Sequence, residues 1–213
     1  PQSFSLAASP SLTACNSAGY IVLDQAAYAC DGSVTVTVND CDLNTDDGTA
    51  QSASIQIAST TEPGGETVTL TETGVATAVF TGSISLATAD TVGVLQVADS
   101  GTLTATYLDA DDGQGGSNLN VTASAAIDCT APVISNIQTT NIGTTHATAS
   151  FDTDEAANGT VSFGQSCGAL TQSATDSGYP TAHAISLTGL TSGTTYYYSV
   201  SAEDQATNSG TDD

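Results

Sequence analysis

Hydrophobic and polar residues alternate strictly over many short stretches of this chain, with the two-residue period of half-buried β-strands. The clearest stretch is 33–38, in which valine occupies every second position. The same period predicts strands at 54–57, 67–70, 79–86, 102–107 and 120–127, and again at 133–139, 144–151, 158–163, 182–187 and 194–202. No long stretch carries the apolar stripe of a helix. The pattern therefore predicts an all-β fold of antiparallel strands.

Turn sequences separate these strands at intervals of roughly 8–14 residues, the spacing of a β-sandwich. Asp-Gly at 31–32 and Pro-Gly-Gly at 63–65 are typical of such turns. The composition changes at Cys129-Thr130-Ala131-Pro132, where one predicted strand ends and another soon begins. We therefore predict an N-terminal arm at 1–18, an acidic β-sandwich at 19–131 and a second β-sandwich at 132–213.

The second segment resembles a bacterial extracellular fibronectin type III domain over residues 132–208. The resemblance rests on Leu-Thr-Gly-Leu-Thr-Ser-Gly-Thr-Thr-Tyr at 187–196, Thr-Asp-Glu at 153–155, and Ser-Ala-Glu-Asp at 201–204 with Asn208. It implies that the Leu and Tyr side chains of the first run pack into the core at the corner between two strands. It also implies that Phe151 fills the space of the family's usual tryptophan.

Residues 19–129 resemble a repeat module of large bacterial secreted proteins. The resemblance rests on Gly-Tyr-Ile-Val-Leu-Asp at 19–24, Asp-Cys-Asp-Leu-Asn at 40–44, the run 65–74, and Tyr-Leu-Asp-Ala-Asp-Asp-Gly at 107–113. It implies a modular architecture at the cell surface or outside the cell, and no particular activity. The expected fold is thus two tandem Ig-like/fibronectin III-like antiparallel β-sandwiches.

The charge of the chain is one-sided, with 23 Asp and Glu residues and no Lys or Arg, for a net charge of −23. This composition excludes the basic surface that nucleic acid or anionic membranes require. No run approaches the roughly 20 apolar residues of a membrane span, so we expect no membrane insertion. Carboxylates in this chain have no Lys or Arg partner, and trypsin has no cleavage site.

Clustered acidic residues predict a Ca²⁺ site in the first sandwich, because Ca²⁺ binds six to eight oxygen ligands. The candidate ligands lie in two loops that follow predicted strands, with one further residue that could join them: Asp40, Asp42, Asn44 and Asp46; Asp109, Asp111 and Asp112; and Asp24. We expect both loops at one end of the sandwich. The spacing from Asp40 imitates half of an EF-hand loop, but Gln51 stands where that loop has glutamate. The alternative is that these residues only form acidic turns.

Five cysteines without a C-x-x-C pair indicate an oxidising compartment rather than zinc or redox chemistry. Cys30 opens a predicted strand and Cys129 follows the last one of the first segment; the resemblance also implies that these positions recur together. The preferred disulfide is Cys30–Cys129, and Cys15–Cys41 is the second choice. Cys167 then remains, with the expected role of a small buried apolar residue.

The sequence shows no catalytic motif, and we expect both histidines, His146 and His183, to be solvated strand residues. The chain begins at Pro1 without a basic leader region, as expected of a processed or excised piece. The predicted function is a non-catalytic, calcium-stabilised extracellular module in cell-surface or filament assembly. The alternatives are an adhesion or binding module, or an accessory region of a larger secreted protease. The expected partners are other copies or other surface proteins, which the arm at 3–7 could reach by adding a strand to a neighbour.

Overall fold

A computed structural model of the chain describes residues 18–212, and these residues form an all-β protein. The arm and Cys15 lie outside the described residues. The described part contains one short 3₁₀ turn, Cys41–Leu43, and no α-helix. It accordingly contains no helix of the length and hydrophobicity needed to cross a membrane.

The first sandwich contains nine strands, β1 (Tyr20–Leu23), β2 (Ala27–Tyr28), β3 (Ser33–Asn39), β4 (Ser52–Ser59), β5 (Glu66–Glu72), β6 (Val79–Ala87), β7 (Val94–Gln96), β8 (Thr102–Asp109) and β9 (Leu119–Ile127). They pair in the order β1-β3-β6-β5-β4-β8-β9-β2, with β7 added to β6. The sheet folds over so that β1 lies against β8 and β9. β5 pairs with β4 over six residues but with β6 over only two, so β1-β3-β6 and β5-β4-β8-β9 correspond to the two sheets of an Ig-like sandwich.

The predicted antiparallel β-sandwich fold is confirmed, and two short strand pairs within it are parallel. β2 pairs with β9 and β6 pairs with β7 in parallel registers of two and three residues. β2 follows β1 in the chain but lies in the other layer of the sandwich, so the chain leaves the layer that contains β3 when β1 ends. It crosses at residues 24–26 and continues in the same direction beside β9.

The core of the first sandwich comes from the alternating strands. In β3, Val34, Val36 and Val38 are fully buried, and their polar neighbours face outward. Cys30, in the turn before β3, forms a disulfide with Cys129, just beyond β9; the Cα atoms are 5.0 Å apart. The predicted Cys30–Cys129 pairing is confirmed. Cys41 is also disulfide-bonded.

The second sandwich contains seven strands, β10 (Ile134–Thr140), β11 (His146–Thr153), β12 (Asn158–Gly164), β13 (Gln172–Thr175), β14 (Ala182–Thr188), β15 (Tyr197–Glu203) and β16 (Ser209–Asp212). They form a three-stranded sheet, β10-β11-β14, and a four-stranded sheet, β13-β12-β15-β16. Phe151, Phe163 and Val161 pack between these sheets. This division into three and four strands is that of a fibronectin III-like sandwich.

Tyr196, at the corner before β15, packs against this core as the resemblance implies. Its hydroxyl accepts a hydrogen bond from the backbone N–H of Thr191, five residues earlier, at 3.2 Å. This is the geometry of a tyrosine corner, which fixes the crossover between two sheets of a sandwich. Phe151 is 2% exposed and occupies the interior.

The segment between β9 and β10 is held against the second sandwich. The side-chain N–H of Asn208 donates to the backbone oxygen of Asp128 at 2.9 Å. The N–H of Val133 donates to the carboxylate of Asp154 at 2.7 Å. Gly210 passes so close to Pro132 that a Cβ there would lie 2.0 Å from the Pro132 oxygen. These contacts tie the connecting segment to the turns of the second sandwich.

Candidate functional site

Two buried carboxylates lie where β3 and β8 end. Asp40 and Asp109 are each 1% exposed. One oxygen of Asp40 accepts from the N–H of Asp42 at 2.8 Å, and the other accepts from the Tyr107 hydroxyl. The oxygens of Asp109 accept from the N–H groups of Gly19 at 2.9 Å and Asp111 at 3.1 Å. Each carboxylate therefore fastens a loop to the end of the sandwich.

Gly19 brings these two carboxylates to the same place. Its N–H binds Asp109, while a Cβ built on it would lie 2.9 Å from the Asp40 Oδ2 and 2.7 Å from the Tyr107 ring. Only glycine lets the chain pass between them. Burial raises the pKa of Asp40, and the negative charges of Asp109 and Asp42 add to the increase, against the hydrogen bonds from Tyr107 and Asp42. The first residue of each predicted acidic loop thus lies at one common end.

The rest of the loop 40–51 contains two oxygens without a donor. Asn44 Oδ1 and Gln51 Oε1 are buried, and neither has a hydrogen-bond partner. The amide of Asn44 donates to Asp47 at 2.9 Å. Asp46 accepts from the N–H of Gly48 and the hydroxyl of Thr49, both at 2.9 Å, and these bonds lower its pKa. Buried acceptors without donors are costly in a folded protein.

The second acidic loop consists of ordinary turn contacts after Asp109. Asp111 accepts from the N–H of Gly113 at 2.9 Å. Asp112 accepts from the N–H groups of Gln114 and Gly116, both at 2.8 Å. Carboxylates that bind backbone N–H groups two residues ahead are typical of Asp-initiated turns. The alternative interpretation, an acidic turn, accounts for the positions of Asp111 and Asp112.

Asp24 does not join this end of the sandwich, contrary to the expectation. Its carboxylate accepts from the Tyr28 hydroxyl at 2.6 Å and the Thr35 N–H at 2.8 Å. Because β1 runs antiparallel to β3, with Tyr20 opposite Asn39, the chain moves away from Asp40 along β1. Thr35 precedes Asp40 by five residues, which corresponds to roughly 16 Å of strand. Asp24 instead lies just beyond the opposite end of the β1–β3 pairing, next to the Leu23–Val36 pair.

Another acidic cluster lies where the two sandwiches meet. Oxygens of Asp128, Glu155 and Asp204 all lie within 4.8 Å of one another. They line a cavity of about 490 Å³ that also includes Ser100. Burial and the charges of Asp128, Asp204 and Asp154 raise the pKa of Glu155 to about 7. The oxygens are close enough to share one cation.

Sequence reasoning missed Asp128 in this cluster. It is a single acidic residue before Cys129, without the acidic neighbours that marked the other loops. Glu155 and Asp204 stand in short acidic runs, but more than 20 residues separate them from each other and from Asp128. Only the packing of one sandwich on the other brings the three together.

His183 is buried, so the expectation of a solvated strand histidine is wrong for this residue. It is 3% exposed, and its ring stacks on Phe151 with centroids 4.3 Å apart. Its Nδ1 lies 2.7 Å from a carboxylate oxygen of Asp176. The described residues thus contain a His–Asp contact that becomes an ion pair when the ring is protonated. His146, by contrast, is exposed.

The buried carboxylates of both sandwiches share one kind of partner. Glu72 accepts from the N–H groups of Gln51, Thr77 and Ala78 at 2.8–3.2 Å. Although burial acts to raise it, these bonds lower the pKa of Glu72. Asp204 accepts from the N–H and the side-chain amide of Asn208 at 2.9 and 2.8 Å. Backbone N–H groups therefore replace the missing cations, as hydrogen bonds to a carboxylate stabilise its charged form.

Cys167 is exposed and free, which contradicts its expected role as a buried apolar residue. It lies beside a cavity of about 390 Å³ lined by Tyr196, Tyr197 and Tyr198. The reason for the exposure is its position in the turn between β12 and β13, at the edge of the four-stranded sheet.

The strand order and the buried loop contacts define an all-β protein of two tandem Ig-like sandwiches, the second of them fibronectin III-like. Residues 132–211, which make up this second sandwich, match the family model for the N-terminal domain of purple acid phosphatase. No curated protein matches the chain. The resemblance of residues 19–129 to a bacterial repeat module stays a prediction.

Two solved structures are similar to the chain at low identity. The FN1–FN3 domains of chicken CNTN1 match with 11% identity and a TM-score of 0.49, covering 92% of this chain and 67% of that one. The adhesin InvE of Yersinia pseudotuberculosis matches with 11% identity and a TM-score of 0.30, covering 91% of this chain and 57% of that one. The chain thus spans little more than half of the InvE structure.

Proposed function

We propose that this chain is a non-catalytic, calcium-stabilised structural module that works outside the cell, in cell-surface or filament assembly. The observation that carries the proposal is that the buried carboxylates accept hydrogen bonds from backbone N–H groups. Asp40, Glu72, Asp109 and Asp204 all accept backbone N–H groups and thereby hold loops against the sandwiches. Groups engaged in this way stabilise a scaffold and are poorly suited to proton transfer with a substrate.

The disulfide supports an extracellular location. The Cys30–Cys129 bond closes a loop of 99 residues, and such bonds persist in oxidising compartments. The absence of Lys and Arg supports the same location, because a chain without trypsin-type cleavage sites resists an abundant class of extracellular protease.

Two unpaired oxygens in the loop 40–51 support the proposal of a bound Ca²⁺. Asn44 Oδ1 and Gln51 Oε1 are buried acceptors that lack a donor, and a hard cation that prefers oxygen ligands would satisfy both. Asp42 and Asp46 in the same loop would supply negative charge. The ion would also interact electrostatically with Asp40 and Asp109 at the end of the sandwich. When bound, the ion would neutralise the negative charge of the loop and would make the loop more rigid.

Assembly would proceed through the N-terminal arm, with a second copy or another surface protein as the partner. Gly19 lies between Asp40 and Asp109, so the described residues begin at the end of the sandwich that would carry the proposed ion. Residues 3–7 alternate in polarity and are suited to pairing with the edge of a sheet. Ion binding and assembly would then be linked at one end of the molecule.

Light scattering and electron microscopy in Ca²⁺ and in EDTA test this function. We expect the full chain to form polymers in Ca²⁺ that shorten or dissociate in EDTA. A variant lacking residues 1–14, which retains Cys15, should remain monomeric in both. A compact monomer of the full chain under every condition would overturn the assembly proposal and would favour the binding-module alternative.

A second candidate function is an accessory region of a larger secreted enzyme. The observation in its favour is the match of residues 132–211 to the N-terminal domain of purple acid phosphatase. Such a region would hold a catalytic domain or its substrate in position. Sequencing the gene beyond both ends of this chain tests this candidate, which requires an adjoining catalytic domain in the same reading frame.

A further inference from the structure

A chain of hydrogen bonds runs from the interior of the second sandwich to the junction between the sandwiches. Asp176 follows β13, and its carboxylate lies 2.7 Å from Nδ1 of His183 on β14. The other ring nitrogen, Nε2, lies 3.1 Å from the hydroxyl of Thr153 at the end of β11. That hydroxyl donates to the backbone oxygen of Glu155 at 2.7 Å. The His183 side chain has no exposed surface.

The direction of each hydrogen bond follows from counting protons. Thr153 has one hydroxyl proton, and this proton points to the Glu155 oxygen, which can only accept. The Thr153 oxygen can therefore only accept from Nε2–H of His183. The Asp176 carboxylate accepts from Nδ1–H. Both ring nitrogens thus face acceptors, the arrangement that an imidazolium ion satisfies.

The surroundings provide one counter-charge for this ion. β11 presents the Phe151 ring and the Thr153 hydroxyl to His183. β12 presents Gly159, where a Cβ would lie 2.8 Å from Nδ1. The charged group that faces the ring is Asp176, whose second oxygen accepts the Gly159 N–H at 2.6 Å. Each oxygen of Asp176 and each ring nitrogen of His183 thus has a hydrogen-bond partner, and the Asp176 side chain is 22% exposed.

We propose that His183 is a proton-operated latch for the segment that carries Glu155 at the junction. When the ring is charged, Nε2–H donates to Thr153, and the Thr153 hydroxyl holds the Glu155 carbonyl. When the ring releases its Nε2 proton to solvent, Nδ1–H stays on Asp176 and Nε2 becomes an acceptor. The Thr153 hydroxyl then turns to donate to Nε2, and the Glu155 carbonyl loses its donor.

The consequence reaches the contact between the sandwiches. Residues 154–157 connect β11 to β12, and a carboxylate oxygen of Glu155 lies there within 4.8 Å of oxygens of Asp128 and Asp204. Release of the Glu155 carbonyl loosens this segment where the carboxylates of the two sandwiches meet. The contact between the two sandwiches therefore becomes less stable as His183 loses its proton. This effect does not depend on whether the chain assembles or binds Ca²⁺.

Nitrogen-15 NMR of the two histidine rings in the full chain, recorded as a function of pH, tests the latch. At about pH 7, we expect protons on both ring nitrogens of His183, with the exposed His146 as the internal reference. On titration Nε2 should lose its proton first, and in Glu155→Gln, where the Glu155 carboxyl no longer titrates, the amide signals of 154–156 should shift with the same midpoint. A single protonated nitrogen at neutral pH, or amide signals that ignore the His183 titration, would overturn the proposal.

Two variants separate the latch from a purely structural role. Thr153→Val preserves the shape and the His183–Asp176 pair but removes the hydroxyl, so the amide signals of 154–156 should no longer follow His183. Thr153→Ser should restore the coupling. His146→Gln is the matched control and should leave the coupling unchanged. If Thr153→Val does not fold, the titration of Glu155→Gln alone still decides the question.

Discussion

The hydroxyl of Tyr107 on β8 donates a hydrogen bond to the carboxylate of Asp40 at the end of β3, and this bond joins residues 67 positions apart. Both side chains are buried, at 4% and 1% exposure. Burial raises the pKa of Tyr107, and the hydrogen bond and charge of Asp40 raise it further. A neutral hydroxyl therefore donates to this buried carboxylate in a chain that has no Lys or Arg.

Tyr107→Phe removes this donor and leaves Asp40 with the N–H of Asp42 as its remaining partner in the structure. We expect the free energy of unfolding to fall by about 1–3 kcal/mol, because a buried charged acceptor loses a hydrogen bond. Urea denaturation measures the change. Tyr197→Phe, at a tyrosine that is 47% exposed, is the control and should have little effect. Equal stabilities for both variants would show that the Asp40 carboxylate does not need the Tyr107 hydroxyl.

Replacing Cys30 and Cys129 by alanine opens a loop of 99 residues. The chain-entropy model predicts a loss of roughly 4–5 kcal/mol in the free energy of unfolding. Guanidinium denaturation of the double variant tests this magnitude. Cys167→Ser removes the exposed free thiol and should leave the stability unchanged. A loss much below the expected value would mean that the unfolded chain is already compact without the bond.

Glu155 makes the stability depend on pH. Its pKa is raised from 4.5 in the unfolded chain to about 7, first by burial and then by Asp128, Asp204 and Asp154. Between these values the folded state binds a proton that the unfolded state has released, so stability falls as the pH rises through this window. Glu155→Gln should flatten this part of the melting temperature against pH, whereas Glu203→Gln should not. A wild-type profile that rises with pH across the window would refute the assignment.

Gly82 on β6 permits a close approach of the neighbouring strand. A Cβ at this position would lie 2.4 Å from the backbone oxygen of Thr69 and 2.8 Å from a methyl group of Leu70. We expect Gly82→Ala to reduce the free energy of unfolding by about 1–3 kcal/mol through overpacking. Gly64→Ala is the matched control, because nothing lies within 4 Å of a Cβ there. Thermal melts of both variants provide the comparison.

The long strands could be predicted because one face of each is buried. Val34, Val36 and Val38 alternate with threonine and asparagine that face outward. The strands that the sequence did not predict lack this contrast between buried and exposed positions. β13 and β16 are short edge strands whose residues are nearly all exposed, and β2 contains only two residues. Their pairing depends on neighbours that are distant in sequence, so no local hydrophobic period predicts them.

The candidate site could be predicted only in part, because its main partners are backbone groups. The acidic character of Asp40 and Asp109 is visible in the sequence, but the N–H groups and the Tyr107 hydroxyl that satisfy them are not. His183 shows the same limit. Its partners, Asp176 and Thr153, come from a loop and from another strand, and only the folded register places them around the ring.

The most direct test of the central claim, a calcium-stabilised scaffold, is the melting temperature in increasing Ca²⁺ and in EDTA. The account predicts a melting temperature that rises with Ca²⁺, since a ligand at 100 times its Kd stabilises by about 2.7 kcal/mol. Asn44→Ala, which removes an orphaned buried oxygen, should abolish the rise, and Asp24→Asn, at a turn away from that loop, should retain it. Superimposable melting curves of the wild-type chain in Ca²⁺ and in EDTA would contradict the claim.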